Sequence, residues 1–291
     1  MQPHQLAYFL AVAETGSFTQ GAQRAGVVQS AASAAIAQLE RELGARLFAR
    51  GYHRLDLTAE GAALLPHARD VLAAIQSAKD AVAGARGQLV GTVRLGTLAL
   101  TGPWDLAAVL QRFAVAHPRV EVHLRQTISG SVTSLEEVRS GSLDLALVSV
   151  SATDLPGLAL TEIHREPMVL ACSPDHRLAD AVEVSITELA AEPFIEYPTG
   201  WGNRATVDQA FASARLTRTI RTEVTDFALA RTLVARNLGV TILPASAIDA
   251  TITAVRLHEH LEWAFQLAQP NHLRISRAAS ELARAIIGDA S

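Results

Sequence analysis

The sequence holds a single cysteine, Cys172, among 291 residues. No intrachain disulfide can therefore staple the fold, and a zinc site built on several thiolates is excluded. Cys172 ends the apolar run MVLAC (168–172), which reads as a strand, so its thiol is expected to be buried and inert. Long apolar runs are also missing. None approaches the roughly 18 residues needed to cross a bilayer, and the opening MQPHQLAYFL lacks the basic start and apolar core of a signal peptide. A soluble cytoplasmic protein with no membrane partner is expected. Excess positive charge is lacking too: the formal net charge is −4, which gives no global signal for nucleic acid. Residues 1–90 carry +1 and residues 91–291 carry −5, so the N-terminal part is the better nucleic-acid end. Catalytic signatures are absent as well: there is no GxxxxGK[ST], no GxSxG and no HExxH. The ten histidines show no ligand spacing. No catalytic residue, metal or cofactor is expected.

Apolar residues, at 49%, are plentiful, and a chain of this length suits two or three cores. Leu6, Phe9, Leu10 and Ala13 fall on one face of a short helix that Gly16 ends. Thr19 suits the N-cap of a second helix through Ala22 to Ala25, broken at Gly26. A third helix runs from about Gln29 to Leu43, with Ile36, Leu39 and Leu43 on one face, and Gly44 stops it. By spacing alone this is either a helix-turn-helix or a plain three-helix bundle. His53 to Leu57 (HRLDL) alternates like a short strand and makes a wing with Arg50 and Arg54 beside it.

The run SFTQGAQRAGVVQSAASAAIAQLERELGARLFAR (17–50), followed by LTAEG (57–61), resembles the DNA-binding signature of LysR-type regulators. The elements SFT, VxQSAxS, QLExELGxxLFxR and LTxxG stand in order and at the family's spacings. The resemblance implies a winged helix-turn-helix whose recognition helix begins near Gln29. Two departures stand out. Val28 replaces the usual capping Ser or Thr, and Ala34 and Ala37 stand where basic residues are common. The polar readers that remain are Gln29, Ser30, Ser33 and Gln38, with Thr19, Arg50 and Arg54 as further DNA-binding candidates. Residues 1–60 hold five Arg against five acidic residues, so one domain alone should bind weakly and rely on dimerisation.

Leu64, Ala68, Val71, Ile75, Ala78 and Val82 repeat at alternating four- and three-residue steps, the seam of a paired helix. Thr58 caps this helix, which spans 59–83 and about 37 Å. Pro66 should bend it, and Gly84 and Gly87 end it in a linker.

From residue 91 strands and helices alternate, and the order βαβαβ over 93–150 implies a parallel sheet with helices on both faces. A second set begins near 164. Ligands of such sheets sit beyond the carboxyl ends of the strands. The small polar residues there are Thr97, Thr101, Ser129, Ser131, Ser149, Thr199 and Asp226. In FIEYPTGWGNR (194–204), Trp201 can wall an organic ligand while Arg204 pairs with its carboxylate. The layout, including GSLDLALV (141–148) and LGVTILP (238–244), resembles the periplasmic-binding-protein-like effector domain of the same family. The expected fold class is thus α/β, with a DNA-binding domain at 1–58, a linker helix at 59–88 and an effector domain at 89–291. Its first lobe takes about 91–163 with 269–291, and its second about 164–268. The partners implied are double-stranded DNA, a small and preferably anionic effector, a second copy in a dimer and then a tetramer, and RNA polymerase. Two alternatives are a two-lobed solute-binding protein without DNA-binding function and an enzyme with an appended helical bundle.

Overall fold

The hydrophobic periodicities close into two units, one built on residues 1–88 and the other on 89–272 with 278–291. The computed structural model describes residues 1–50, 55–84, 89–99, 102–127, 129–150, 155–271 and 275–289. In the first unit, α1 (Pro3–Thr15), α2 (Phe18–Arg24) and α3 (Gln29–Leu43) fold as the periodicity requires. Leu6, Phe9 and Val12 of α1 meet Ile36 and Leu39 of α3 over Leu47 in a dry core. One cap differs from expectation. Ser17, not Thr19, accepts the first-turn N–H of α2, because the helix starts two residues earlier than a Thr19 cap would allow, at Phe18. Thr19 lies exposed within the first turn.

Strand β1 (Phe48–Arg50) pairs antiparallel with β2 (Leu55–Leu57), joining Phe48 to Leu57. Glu40, buried on α3, anchors this hairpin by accepting from the Leu47 N–H at 2.8 Å. The wing residue Arg54 lies outside the described residues. α4 (Ala59–Gly84) continues through Pro66, and Thr58 Oγ1 accepts the Gly61 N–H at 3.0 Å, the expected cap. The proposed seam needs a correction at its start. Ala68 is fully buried and Leu64 packs beside it in the same core as Phe9. Those two turns belong to their own domain. Val71, Ala78 and Val82 are exposed and Ile75 is half-buried.

The second unit begins with β3 (Gly91–Thr97), α5 (Leu106–Ala116), β4 (Val120–Gln126), α6 (Gly130–Arg139) and β5 (Leu145–Val148). β4, β3 and β5 are parallel, as expected. The chain continues through β6 (Leu158–Cys172), β7 (Glu183–Val184), α7 (Ile186–Leu189), β8 (Pro193–Glu196) and α8 (Gly202–Ser213). It closes with β9 (Thr219–Glu223), α9 (Phe227–Ala235), β10 (Thr241–Pro244), β11 (Thr253–Leu257), β12 (Glu262–Pro270) and α10 (Arg277–Asp289). The main sheet runs β4-β3-β5-β12-β6-β11-β7, with β10 also on β6. Strands β8 and β9 pair in parallel and join β10 through a bridge from Phe194 to Val240.

β12 pairs antiparallel along its whole length with the first part of β6, Leu158 to Pro167. β12 meets β5 on one side, while the last residues of β6 meet β10 and β11 on the other. These two strands therefore carry the chain between the lobes. Ile163 is an unpaired extra residue in β6 at the register shift between Phe265 and Gln266. Gln266 to Ala268 pair with β5, so the second crossing lies nearer 265 than the expected 268.

Candidate DNA-binding surface and effector cleft

α2 and α3 are joined by a turn in which Gly26 adopts φ 69°, a conformation that a side chain resists, and the Val27 N–H returns to the Ala22 carbonyl at 3.0 Å. The turn frees the outer side of α3. Ala32, Ile36 and Leu39 face the core, while Gln29, Ser30 and Gln38 are exposed and Ser33 is half-buried. Gln29 Nε2 donates to Ser33 Oγ at 2.9 Å, and Gln38 Nε2 donates to Glu42 at 3.3 Å. Four predicted readers thus share one surface. Arg50 contributes its backbone to β1, and its side chain lies outside the described residues.

In the second unit a cleft lies between the helix starts of α6 and α8. It is lined by Thr127, Gly130, Ser131 and Ser149 on one side and by Trp201, Gly202, Asn203 and Phe227 on the other. Leu98, Ala99 and Trp263 complete it. Ser131 Oγ accepts the Ser149 N–H at 2.9 Å, which ties α6 to the end of β5. Thr127 and Ser134 share a hydroxyl bond of 2.7 Å. Trp201 stacks on Tyr197 at 5.5 Å, and Phe227 lies 4.6 Å from Tyr197. The two walls touch. A Cβ on Gly202 would overlap the Ser149 carbonyl oxygen, and one on Gly130 would overlap that of Gly200. What remains open is a cavity of about 20 Å³, the size of a single water.

Among the described residues that line this cavity, one buried polar group has no partner. Asn203 is 3% exposed, and its Nδ2 is buried without a hydrogen bond. Neither α6 nor α8 has a side-chain cap, so both helix starts face the cleft with their first-turn N–H groups uncapped. α8 is held by charge. Arg218 lies between the Phe194 and Phe211 rings, 5.4 and 4.9 Å from their centres, and donates to Glu196 at 2.8 Å and to Asp208 at 2.6 Å. Burial pushes the Glu196 carboxyl above the usual carboxylate range, against the pull of Arg218 and Arg204.

Of the predicted effector residues, Ser131, Ser149 and Trp201 line the cleft. The other described ones, Thr97, Ser129, Thr199, Arg204 and Asp226, are not among its lining residues. Arg204 is committed within its own lobe, to both Asp208 oxygens at 2.9 Å and to the Tyr197 carbonyl at 2.7 Å, so it offers no fork to a carboxylate. Asp226 caps α9 by accepting from Leu229 at 2.6 Å. Thr97 is buried with its hydroxyl 3.4 Å from the Leu98 carbonyl, Ser129 and Thr199 are exposed, and Thr101 lies outside the described residues. Asn203 and Phe227, which sequence reasoning missed, are immediate neighbours of Arg204 and Asp226. In both cases the charged residue attracts the assignment, and the uncharged neighbour lines the cleft.

Among the described residues no helix is long and apolar enough to cross a membrane, and no cluster of three acidic, His or Cys side chains stands ready for a metal. Residues 3–62 match the family described as bacterial regulatory helix-turn-helix protein, lysR family, and residues 86–290 match the LysR substrate binding domain. The chain is 35% identical to the HTH-type transcriptional regulator ShiR of Corynebacterium glutamicum over 245 residues, 83% of this chain and 82% of that one. It is 34% identical to a probable hydrogen peroxide-inducible genes activator of Mycobacterium avium over 253 residues, 87% and 80% of the two chains. Its fold resembles that of a full-length OxyR variant from Pseudomonas aeruginosa, with a TM-score of 0.77 at 21% identity over 98% of this chain and 94% of that one. The match over 3–62 overturns the alternative of a solute-binding protein without DNA-binding function. The relatives are transcriptional regulators rather than enzymes. Matched at both ends, the chain belongs to the LysR family, as a DNA-binding transcriptional regulator with an effector-binding domain.

Proposed function

We propose that the cleft captures a small organic anion, a carboxylate above all, and that capture changes the protein's hold on its operator. The observation that carries this is Asn203 Nδ2, buried and unpartnered between two uncapped helix starts. A carboxylate there accepts from Asn203 and from first-turn N–H groups, and each helix end favours negative charge by roughly 0.3–1 kcal/mol. Trp263 and Phe227 provide apolar wall for the carbon skeleton. The free space of about 20 Å³ is too small for such a ligand, so in this reading the lobes part about β6 and β12 for it to enter. Ligand and DNA then influence each other reciprocally, typically by 1–3 kcal/mol.

The test is calorimetric titration of the full chain with a panel of hydroxylated and aromatic carboxylates, then with Asn203→Leu and Asn203→Asp. Losing one charge-assisted bond costs about 1.5–3 kcal/mol, roughly ten- to a hundredfold in affinity, and Asp should be worse than Leu. A bound carboxylate indifferent to both changes places the site elsewhere.

The peroxide response in the name of the Mycobacterium avium relative is a poor guide here. Cys172 is the chain's one cysteine, buried within β6, and burial followed by the Glu192 charge pushes its thiol up, away from the reactive thiolate. The exposed Val71, Ala78 and Val82 on the second half of α4, with half-buried Ile75, support a dimer through that helix. A tetramer, work beside RNA polymerase and a cytoplasmic location are proposed from membership of the family. Val71→Asp with Ile75→Asp places unpaired charges in that seam. Sedimentation should show a smaller assembly than wild type, with weakened operator binding, and an unchanged assembly with undiminished operator affinity overturns the seam.

A further inference from the structure

Val28 is a poor residue for its position. It holds the N-cap of α3 with extended backbone angles (φ −73°, ψ 147°), has no side chain able to cap the helix, and leaves 69% of its surface in solvent. A Ser or Thr there would stabilise the helix by accepting a first-turn N–H. Neither capping nor burial explains an isopropyl group at this point. The adjacent surface continues the theme. Ala31 and Ala34 are exposed on the outer side of α3, with Ser30 one turn before Ala34 and Gln38 one turn after it. Arg24, at the end of α2, is engaged with Glu14 at 2.9 Å. The start of the recognition helix is therefore rich in methyl groups and poor in charge.

In the major groove, a base edge offers a methyl group at thymine C5 alone, and apolar side chains such as Ala meet it there. The two methyls of Val28 and the small Ala34 side chain also let the helix settle close to the base edges. We infer that Val28 and Ala34 read thymine C5-methyl groups and so set part of the operator's sequence. Gln29 and Gln38 supply the hydrogen bonds that suit adenine on the same surface. This reading rests on the DNA-binding function of the family and is independent of what the cleft binds.

The test uses the full chain and a duplex selected by it from a randomised pool, so no operator need be known in advance. Each thymine in the selected site is then replaced by uracil, which removes the C5-methyl and leaves the hydrogen-bonding edge unchanged. Binding should weaken about fourfold at two thymines, the expected effect of one buried methyl each. Val28→Ser restores a helix cap, so the variant folds, and it should lose the uracil sensitivity at one of those thymines while keeping it at the other. Val28→Ala, which removes methyls without adding a cap, should do the same. Ala34→Ser should lose the sensitivity at the second thymine. If no uracil changes wild-type affinity by as much as twofold, the inference fails. It fails equally if both Val28 variants and Ala34→Ser retain the wild-type pattern.

Discussion

The DNA-reading surface comes from one stretch of chain, Ser17 to Gln38, whereas the cleft collects residues from Leu98 to Trp263. The first is a local object. Two helices, one left-handed glycine and a few apolar contacts are enough to present α3. The second exists only when β5, α6, α8, α9 and β12 have all been placed by the sheet. The two share one device, the bare helix start. α2, α4, α5, α7 and α9 carry side-chain caps from Ser17, Thr58, Asp105, Ser185 and Asp226. α3, α6 and α8 carry none, although α9, which brings Phe227 to the cleft, is capped. The capped ends serve the fold, and the bare ends leave their N–H groups for something else.

Close-packed glycines respond differently in the two regions. A Cβ on Gly21 would come within 2.7 Å of the Val12 backbone, where α1 and α2 have no freedom to part. Gly21→Ala should therefore cost about 1–3 kcal/mol in stability, as overpacking does, with faster amide exchange throughout α1–α3. Gly202→Ala meets a tighter contact still, against the Ser149 carbonyl, yet the strain can be relieved by opening the lobes. Its melting temperature should fall less than that of Gly21→Ala, while affinity for any cleft ligand that needs closure falls more. A larger loss of stability in Gly202→Ala would show that the lobes are locked together rather than hinged.

Sequence legibility follows the same division. α3 is legible residue for residue because a hydrophobic stripe, a preceding turn and Gly44 are all local signals. The shift of the α2 cap from Thr19 to Ser17 is a choice between two adequate hydroxyls, settled by where Phe18 packs. β6 is legible only in its last part, since Glu162, His164, Arg165 and Glu166 disguise its first ten residues as loop. The antiparallel return of β12 through the sheet has no local signal at all. In the cleft, hydroxyls at strand ends point correctly to Ser131 and Ser149. Arg204 misleads although its pairing with Asp208, one turn on along α8, is a local signal; the Tyr197 carbonyl that completes its commitment becomes a neighbour only in the folded lobe.

The smallest effects test the meaning of the bare helix starts most directly. Asp226 is an effector candidate by sequence and a cap in the fold, bonded to the Leu229 N–H at 2.6 Å. Asp226→Ala should cost about 0.5–2 kcal/mol in urea unfolding, because a cap is lost, and leave affinity for a cleft ligand unchanged. Ser129 occupies the equivalent position on α6 but makes no capping bond. Ser129→Ala should change stability by less than about 0.5 kcal/mol, as an exposed substitution that removes no interaction. The two variants lie in the same unit and share one unfolded reference, so their difference isolates the cap itself. If Ser129→Ala destabilised the protein as much as Asp226→Ala, the start of α6 would be capped in solution, and its N–H groups would not be available to a ligand.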